Sequence, residues 1–471
     1  MTAKARTLWT FAITSVALFM VTLDNLVVTT ALPVIRRSLH ADLAQLEWTV
    51  NAFTLTFAVL LLTGAALGDR FGRRRVFLIG IVVFTVGSAA AALAPSASAL
   101  IAARAVQGAG GALVLPLTLT LLSAAVSPDR RGVALGAWGA IAGLAVALGP
   151  IVGGAVVQGI SWQWIFWLNV PIGLLLAPLA RLRLDESHGP DRALDLPGLA
   201  LGSAGLFGIT FGLVRANSLG WGSVQIVGAL VGGAAVVAAF VIYESRARAP
   251  MLPMRFFRSR TFTGANLASL LMYFGMFGSI FLLAQYFQTV QGLSPLGAGL
   301  RILPWTAMPL LVAPIAGALS DRISGRTILA VGLALQAVGL LWIGLATSPA
   351  APYSTFIIPF VLSGAGMGMF FAPVANLVLS SVRRDQEGKA SGANNAIREL
   401  GGVLGVAVLA SIFAHTGGYS SGVAFVAGLQ PAIIVGAAVV FSGAIVAALM
   451  PGRRALQAAP ALLEEVAVAA A

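Results

Sequence analysis

Of the sixteen acidic residues in this 471-residue chain, only Asp24 and Glu399 fall inside long apolar runs. Asp42 and Glu47 sit in or beside one polar joint between runs. Asp69, Asp129, Asp185, Glu186, Asp191, Asp195, Glu244, Asp321, Asp385, Glu387, Glu464 and Glu465 sit at other joints, at run ends or in the tail. A carboxyl group held in hydrocarbon is costly and marks a functional position. Burial disfavours the charged form of such a group, so its natural chemistry is to take up and release a proton, and a cationic ligand can take the proton's place. Asp24 and Glu399 are therefore candidates for proton coupling, cation recognition or both. The competing reading of Asp24 is a carboxylate neutralised by a structural arginine. Glu399 is preceded by Arg398, but sequence neighbours on a helix point about 100° apart and need not pair. Arg104 is a basic residue a few positions into another run. It either governs a nearby carboxylate or snorkels to the headgroups, and Arg301, at similar depth, reads as a snorkelling residue.

The absences narrow the chemistry further. There is no cysteine, and His40, His188 and His415 lie in joints or at a run end. No Gly-rich Walker loop or H-E-x-x-H motif is present, so ATP-driven pumping and zinc proteolysis lack their residues. No nucleophile and base fall together, so an enzyme is not expected, nor is a cofactor; a proton gradient would be the energy source.

The elements that must hold these residues are spanning helices. The chain is 58% hydrophobic and only 10% charged, against about 25% charged in a soluble domain, so lipid must solvate most of it. A span needs ~20 mostly apolar residues, and fourteen such runs are present, at about 9–32, 48–68, 76–94, 99–123, 132–158, 164–181, 195–215, 224–243, 262–288, 299–319, 327–347, 353–380, 390–414 and 429–450. The seventh and eighth are the hardest to separate, because 217–222 is a very short joint. The first run is too long for the apolar region of a cleaved signal and contains Asp24, so it reads as a retained span. With the N-terminus in the cytoplasm, 23 of the 29 basic residues fall on the cytoplasmic side, the exceptions being Arg36, Arg37, Arg104, Arg215, Arg301 and Arg398. That asymmetry predicts both termini inside a bacterial inner membrane. It also accounts for the net charge of +13 without a nucleic-acid partner; the expected partners are the lipid bilayer, protons and small hydrophobic or cationic molecules.

A decapeptide recurs. Ala65-Ala66-Leu67-Gly68-Asp69-Arg70-Phe71-Gly72-Arg73-Arg74 follows the second run, and Gly317-Ala318-Leu319-Ser320-Asp321-Arg322-Ile323-Ser324-Gly325-Arg326 follows the tenth. Parallel repeats of this kind build two-halved carriers with a site between the halves. The expected organisation is an N-terminal six-helix bundle over 1–183, a linker with inserted helices seven and eight over 184–261, a C-terminal six-helix bundle over 262–451 and a short tail over 452–471. Asp69, Arg70, Gly72 and Arg73, with Asp321, Arg322 and Arg326, read as a conformational latch, Asp69 lying near the start of the third helix where the helix dipole favours a carboxylate. A plain topological signal is the competing reading.

With these residues in view, the chain resembles the major facilitator superfamily, and most closely its fourteen-helix drug:proton antiporter branch typified by EmrB and QacA. The resemblance rests on the 65–73 motif, with Ala65 in place of the usual glycine; on Arg104, Gln107, Gly108 and Gly110; and on Gly143, Gly149, Pro150, Gly153 and Gly154. It rests also on Leu23-Asp24-Asn25-Leu26-Val27-Val28 followed by Ala31-Leu32-Pro33, and on the block from Trp162 to Gly173, with Gln163 replacing an arginine. It implies that Arg104 serves proton transfer by controlling a nearby carboxylate, and that acids in the first and thirteenth helices take part in coupling.

Small residues at four-residue spacing along the fifth run allow close packing, and Pro150 interrupts its hydrogen bonding, which suits a hinge or seal between bundles. Phe53, Tyr273, Phe277, Gln285, Gln288, Met367 and Phe371 are candidates for the substrate wall, since Met-rich and aromatic surfaces suit promiscuous binding. The function expected is proton-coupled export of hydrophobic compounds by a monomer. The alternatives are a dedicated natural-product exporter and a channel or lipid-binding membrane protein.

Overall fold

A computed structural model of the chain describes residues 3–126, 131–188, 195–248, 250–320, 323–383 and 386–451. Asp321 and Arg322 of the second latch motif, and the tail from 452 onward, lie outside the described residues. Every one of the fourteen apolar runs falls on a helix, and no strand occurs among the described residues. The helices are α1 (Ala3–Leu39), α2 (Leu43–Phe71), α3 (Arg73–Ala92), α4 (Ala97–Ala125), α5 (Arg131–Gly159), α6 (Trp164–Trp167), α7 (Asn169–Arg183), α8 (Leu196–Leu219), α9 (Val224–Arg246), α10 (Arg260–Thr289), α11 (Pro295–Ser320), α12 (Gly325–Ala346), α13 (Ser354–Leu379), α14 (Glu387–Thr416) and α15 (Gly422–Leu449). The sixth run is divided at Leu168 into a short helix and a longer one.

Among the described residues twelve helices are long and apolar enough to cross a membrane. A thirteenth is added if α2, bent by 48°, is one span; the described apolar part of α5, Gly143–Gly159, is shorter. The protein is thus an all-helical, multi-pass membrane protein. The turns set the helix ends with ordinary chemistry. Asp42 caps α2 by accepting from Gln45 N at 2.7 Å, while the Gln45 side chain accepts from Asp42 N at 3.0 Å, a reciprocal capping box. Gly220, at φ 86°, makes the short turn between α8 and α9.

The position of Glu47, read as in or beside the joint after the first helix, is sharpened by the structure to beside it. α2 begins five residues before the apolar run, at Leu43, so Glu47 lies within its second turn and is only 2% exposed. The polar capping residues hid this start, because hydropathy registers side chains and not where backbone hydrogen bonding begins. Between α9, which runs to Arg246, and α10 a 3-10 turn spans Met254–Arg258, and Phe256 is buried there, 5.4 Å from the Phe262 ring.

Helix packing follows the small residues. α4 lies against both α2 and α3. A side chain at Gly110 would meet Phe84 Cα at 2.7 Å, and one at Gly108 would meet the Phe53 backbone, so these two glycines let α4 press onto its neighbours. α5 is held between α1 and α11, α8 pairs with α9 and touches α2 and α14, and α2 packs on α14. Several turns meet at one end of the bundle, called here the far end: Trp162 Nε1 donates to Ser38 Oγ at 3.1 Å, Arg36 lies 3.6 Å over the Tyr419 ring, and Gln291 Nε2 donates to the Ala351 carbonyl at 2.8 Å.

Candidate functional site

A fully buried polar cluster is built on Asp24 and Arg104, which are 1% and 0% exposed. Arg104 Nη1 donates to Asp24 Oδ2 in a buried ion pair. Asp24 Oδ1 accepts from Asn169 Nδ2 at 2.7 Å and from Gln107 Nε2 at 3.2 Å. Every neighbour of the carboxylate is a donor, which suits an acceptor-only group. Arg104 is held in turn. Its Nε donates to the Thr49 carbonyl at 3.2 Å, its Nη1 also reaches Gln107 Oε1 at 3.0 Å, and its guanidinium lies 4.3 Å over the Phe53 ring and 5.7 Å from that of Phe166. Gln107 Nε2 is anchored on Ser88 Oγ at 2.7 Å. Five helices, α1, α2, α3, α4 and α7, therefore converge on one carboxylate. Arg104 Nη2 alone has no partner. A buried pair broken on one side costs about 3–5 kcal/mol, so this pair can separate only if something else meets the abandoned charge.

Arg104 thus does not snorkel, and the carboxylate beside it is Asp24. Gln107 was visible in the sequence as part of a motif. Asn169 was visible only as a member of the Trp162–Gly173 block, and nothing marked it as a partner of Asp24, 145 positions away.

Glu399 is a separate site. It lies on α14, and its Oε2 is buried without a partner. Arg398 turns away from it: Nη2 donates to the Tyr273 hydroxyl, Nη1 donates to Asn395 Oδ1 at 3.0 Å, and the guanidinium lies 4.7 Å over Tyr273 and 5.6 Å from Phe371. Tyr273 stacks on Phe277 at 5.6 Å and contacts Phe370 at 6.3 Å. Of the candidate wall, Tyr273, Phe277 and Phe371 therefore gather around Arg398. Phe53 belongs to the Asp24 cluster, Met367 is buried in the core, and Gln285 and Gln288 lie at the far end, where Gln288 Nε2 donates to the Thr30 carbonyl of α1 at 2.7 Å. Glu47 and Glu244, each 2% exposed, are further buried acids, with Glu47 Oε2 and Glu244 Oε1 unpartnered.

At the terminal end Asp69 pairs with Arg73, Oδ1 accepting from Nε at 2.9 Å, and Arg70 lies 5.1 Å from the Phe71 ring. The carboxylate at the start of α3 is not Asp69, however, but Glu186, which accepts from Arg74 N at 2.9 Å and Arg75 N at 3.2 Å. Gly72, at φ 105°, makes the turn that brings those amides to it. Arg326 donates from Nη1 to the Met450 carbonyl at 2.5 Å, closing the end of α15. Replacing Glu186 with Gln removes the charge from the helix start and is expected to lower stability by about 0.5–1 kcal/mol; thermal unfolding in detergent reads the shift.

In α5, Gly149 faces Leu26 Cβ at 2.6 Å, Gly153 faces the Val27 carbonyl at 2.7 Å, and Gly154 faces Leu296 Cα of α11 at 2.6 Å, all measured to the position a side chain would take; Gly143 is 3.3 Å from Leu310. Pro150 is buried between the same helices. These α5 glycines are thus the surface on which α1 and α11 close.

A multi-pass helical protein with a buried ion pair between its first and fourth long helices is a membrane carrier in architecture. Residues 14–406 and 265–466 match the Major Facilitator Superfamily, and the chain belongs to that family. It is 36% identical over 403 residues to the tetracenomycin C resistance and export protein of Streptomyces glaucescens, covering 85% of this chain and 74% of that one. It is 35% identical over 409 residues to the multidrug resistance protein Stp of Mycobacterium tuberculosis, covering 86% and 76%. Among solved structures it superposes on a POT family transporter in complex with a thioalcohol-conjugated peptide with a TM-score of 0.69, covering 93% and 94% of the two chains at 15% identity, which is a likeness of fold.

Proposed function

We propose that this protein exports hydrophobic, drug-like compounds, cationic ones included, in exchange for protons, with Asp24 as the coupling carboxylate and Arg104 as the group that controls it. The observation that carries the reading is the buried Asp24–Arg104 pair. A carboxylate sealed among donors exchanges its arginine for a proton or a cation only when the surrounding helices move, which ties titration to conformation. The relatives named for tetracenomycin C resistance and export and for multidrug resistance support export of antibiotic-like cargo.

Fourteen spans fit the helix order best, with α6 and α7 forming one span and α8 and α9 inserted between bundles of α1–α7 and α10–α15. The charge asymmetry of the sequence supports cytoplasmic termini, so the far end faces outward. α5 and α11 then form the seal between the bundles, Asp69 and Arg73 belong to a latch on the cytoplasmic face, and Glu399 with the Tyr273–Phe277–Phe371 cluster offers a second acid and an aromatic surface to cargo. The driving force suffices: a proton moving through 100 mV releases ~2.3 kcal/mol and each pH unit adds ~1.4 kcal/mol. Exchange of one proton for one monovalent cation is electroneutral and uses only the pH term, about tenfold accumulation per unit.

Everted vesicles given a fluorescent lipophilic cation and an imposed pH gradient test the reading. Accumulation that collapses with the gradient is expected; accumulation indifferent to the gradient would overturn the coupling.

A further inference from the structure

Glu47 is nearly solvent-free, lies between the core residues Leu46 and Val50, and keeps one carboxyl oxygen without a partner. At the far end, side chains from both halves of the chain meet. Arg36 of α1 lies 3.6 Å over the ring of Tyr419, from the turn between α14 and α15. The Tyr419 hydroxyl donates to Gln285 Oε1 of α10 at 2.5 Å, and Gln288 Nε2 donates to Thr30 O. Beside these side chains a cavity of about 180 Å³ is lined by Pro33, Arg36, Arg37, Gln285, Gln288 and Thr289, room for several waters. The joint that leads to Glu47 is tied to this lid of side chains, Ala41 N donating to the Arg36 carbonyl at 3.0 Å; burial pushes the Tyr419 phenol above its usual range, Arg36 opposes that rise and Glu47 adds to it. The other ionisable groups toward this end include Asp42, whose charge bears on Glu47, Arg37, His40, Arg215 on α8, Tyr286 on α10, Arg301 on α11 with Tyr353 beneath its guanidinium, and His415 on α14. Glu47 forms no ion pair among the described residues.

We propose that Glu47 is a proton-binding residue of the far-end gate, and that the Arg36–Tyr419–Gln285–Gln288 lid closes over it with one proton bound. A neutral carboxylic acid is far cheaper to bury than an unpaired carboxylate. With the lid open, Glu47 is wetted, ionised and exchanging with water on that side. Closing the lid forms its O–H bond with a proton taken from a hydronium ion, leaving water behind. Two residues along α2, the Thr49 carbonyl holds Arg104, so movement of this end of α2 also pulls on the Asp24 pair. The inference rests on the proton-coupled reading and adds to it an outward-side proton site.

The chain has no native cysteine, so spin labels at Ser98→Cys and Ser354→Cys, both exposed and on opposite halves, report the far-end distance in nanodiscs without background. In the otherwise native protein the Glu47 proton is expected to contribute up to about a tenfold rise in the closed-to-open ratio per unit fall in pH, beside the contribution of Asp24. Glu47→Gln is expected to favour the closed distance and to lose the Glu47 contribution alone. Glu47→Asp, which keeps a titrating group, should retain a pH dependence, and Tyr419→Phe should shift the ratio while keeping its slope. A Glu47→Gln protein with the native pH profile, or a Glu47→Asp protein that has lost it, overturns the assignment. Gradient-driven transport measured beside it separates the two ideas: intact transport with an unchanged Glu47→Gln profile refutes this inference alone, and gradient-indifferent transport by the native protein refutes the coupling beneath it.

Discussion

Replacing Asp24 with Asn is expected to abolish gradient-driven accumulation while leaving a folded, membrane-inserted protein. Asn fills nearly the same volume and can still accept from Asn169 Nδ2 and Gln107 Nε2, which hold Oδ1 at 2.7 and 3.2 Å. It cannot carry the charge that Arg104 opposes, nor bind and release a proton. Two costs follow. Arg104 becomes a buried cation without a counter-charge, which weakens stability by about 3–5 kcal/mol unless the site takes in an anion or water. Coupling is lost outright, because the exchange of proton for cargo has no residue on which to occur. Downhill movement of a neutral cargo should survive better than uphill movement of a cation. Vesicle accumulation at several pH gradients, beside downhill efflux without a gradient, checks both. Undiminished cation accumulation by Asp24→Asn retires Asp24 from coupling.

The second large effect is expected at Gly154. Any side chain there meets Leu296 Cα at 2.6 Å and the Pro295 carbonyl oxygen at 2.5 Å. Both are backbone, so neither can yield by rotating, and α5 and α11 must part. Gly154→Val should therefore destabilise the arrangement in which these helices close, with transport reduced more than tenfold although the residue touches no charge. The change should appear as a longer far-end separation between labels and not as lower expression. A Gly154→Val protein with native distances and native transport would contradict the role given to this seam.

How far the sequence reached depended on which physical signal each feature leaves. The helices were legible because lipid demands apolar runs of a fixed length, and all fourteen runs fall on helices. Asp24 and Arg104 were legible because charge in such runs is conspicuous. Their pairing was not: it depends on α4 pressing against its neighbours through Gly108 and Gly110, with Gln107, Asn169 and Ser88 supplied by three different helices. That Glu47 is already helical was hidden because a polar capping box disguises the start of α2. The anion at the start of α3 was assigned to Asp69, one helix end away, when a residue over a hundred positions distant, Glu186, fills it. The sequence shows charge and periodicity along the chain; which distant side chains satisfy a buried group follows from packing.

The Asp24–Arg104 pair as the point of exchange is tested most directly by counting protons. Purified protein in weakly buffered detergent solution, with a pH-sensitive dye, is mixed with a saturating lipophilic cation below neutral pH. About one proton released per cation bound is predicted for the native protein and none for Asp24→Asn. Cation binding without proton release by the native protein, or equal release by Asp24→Asn, would contradict the account.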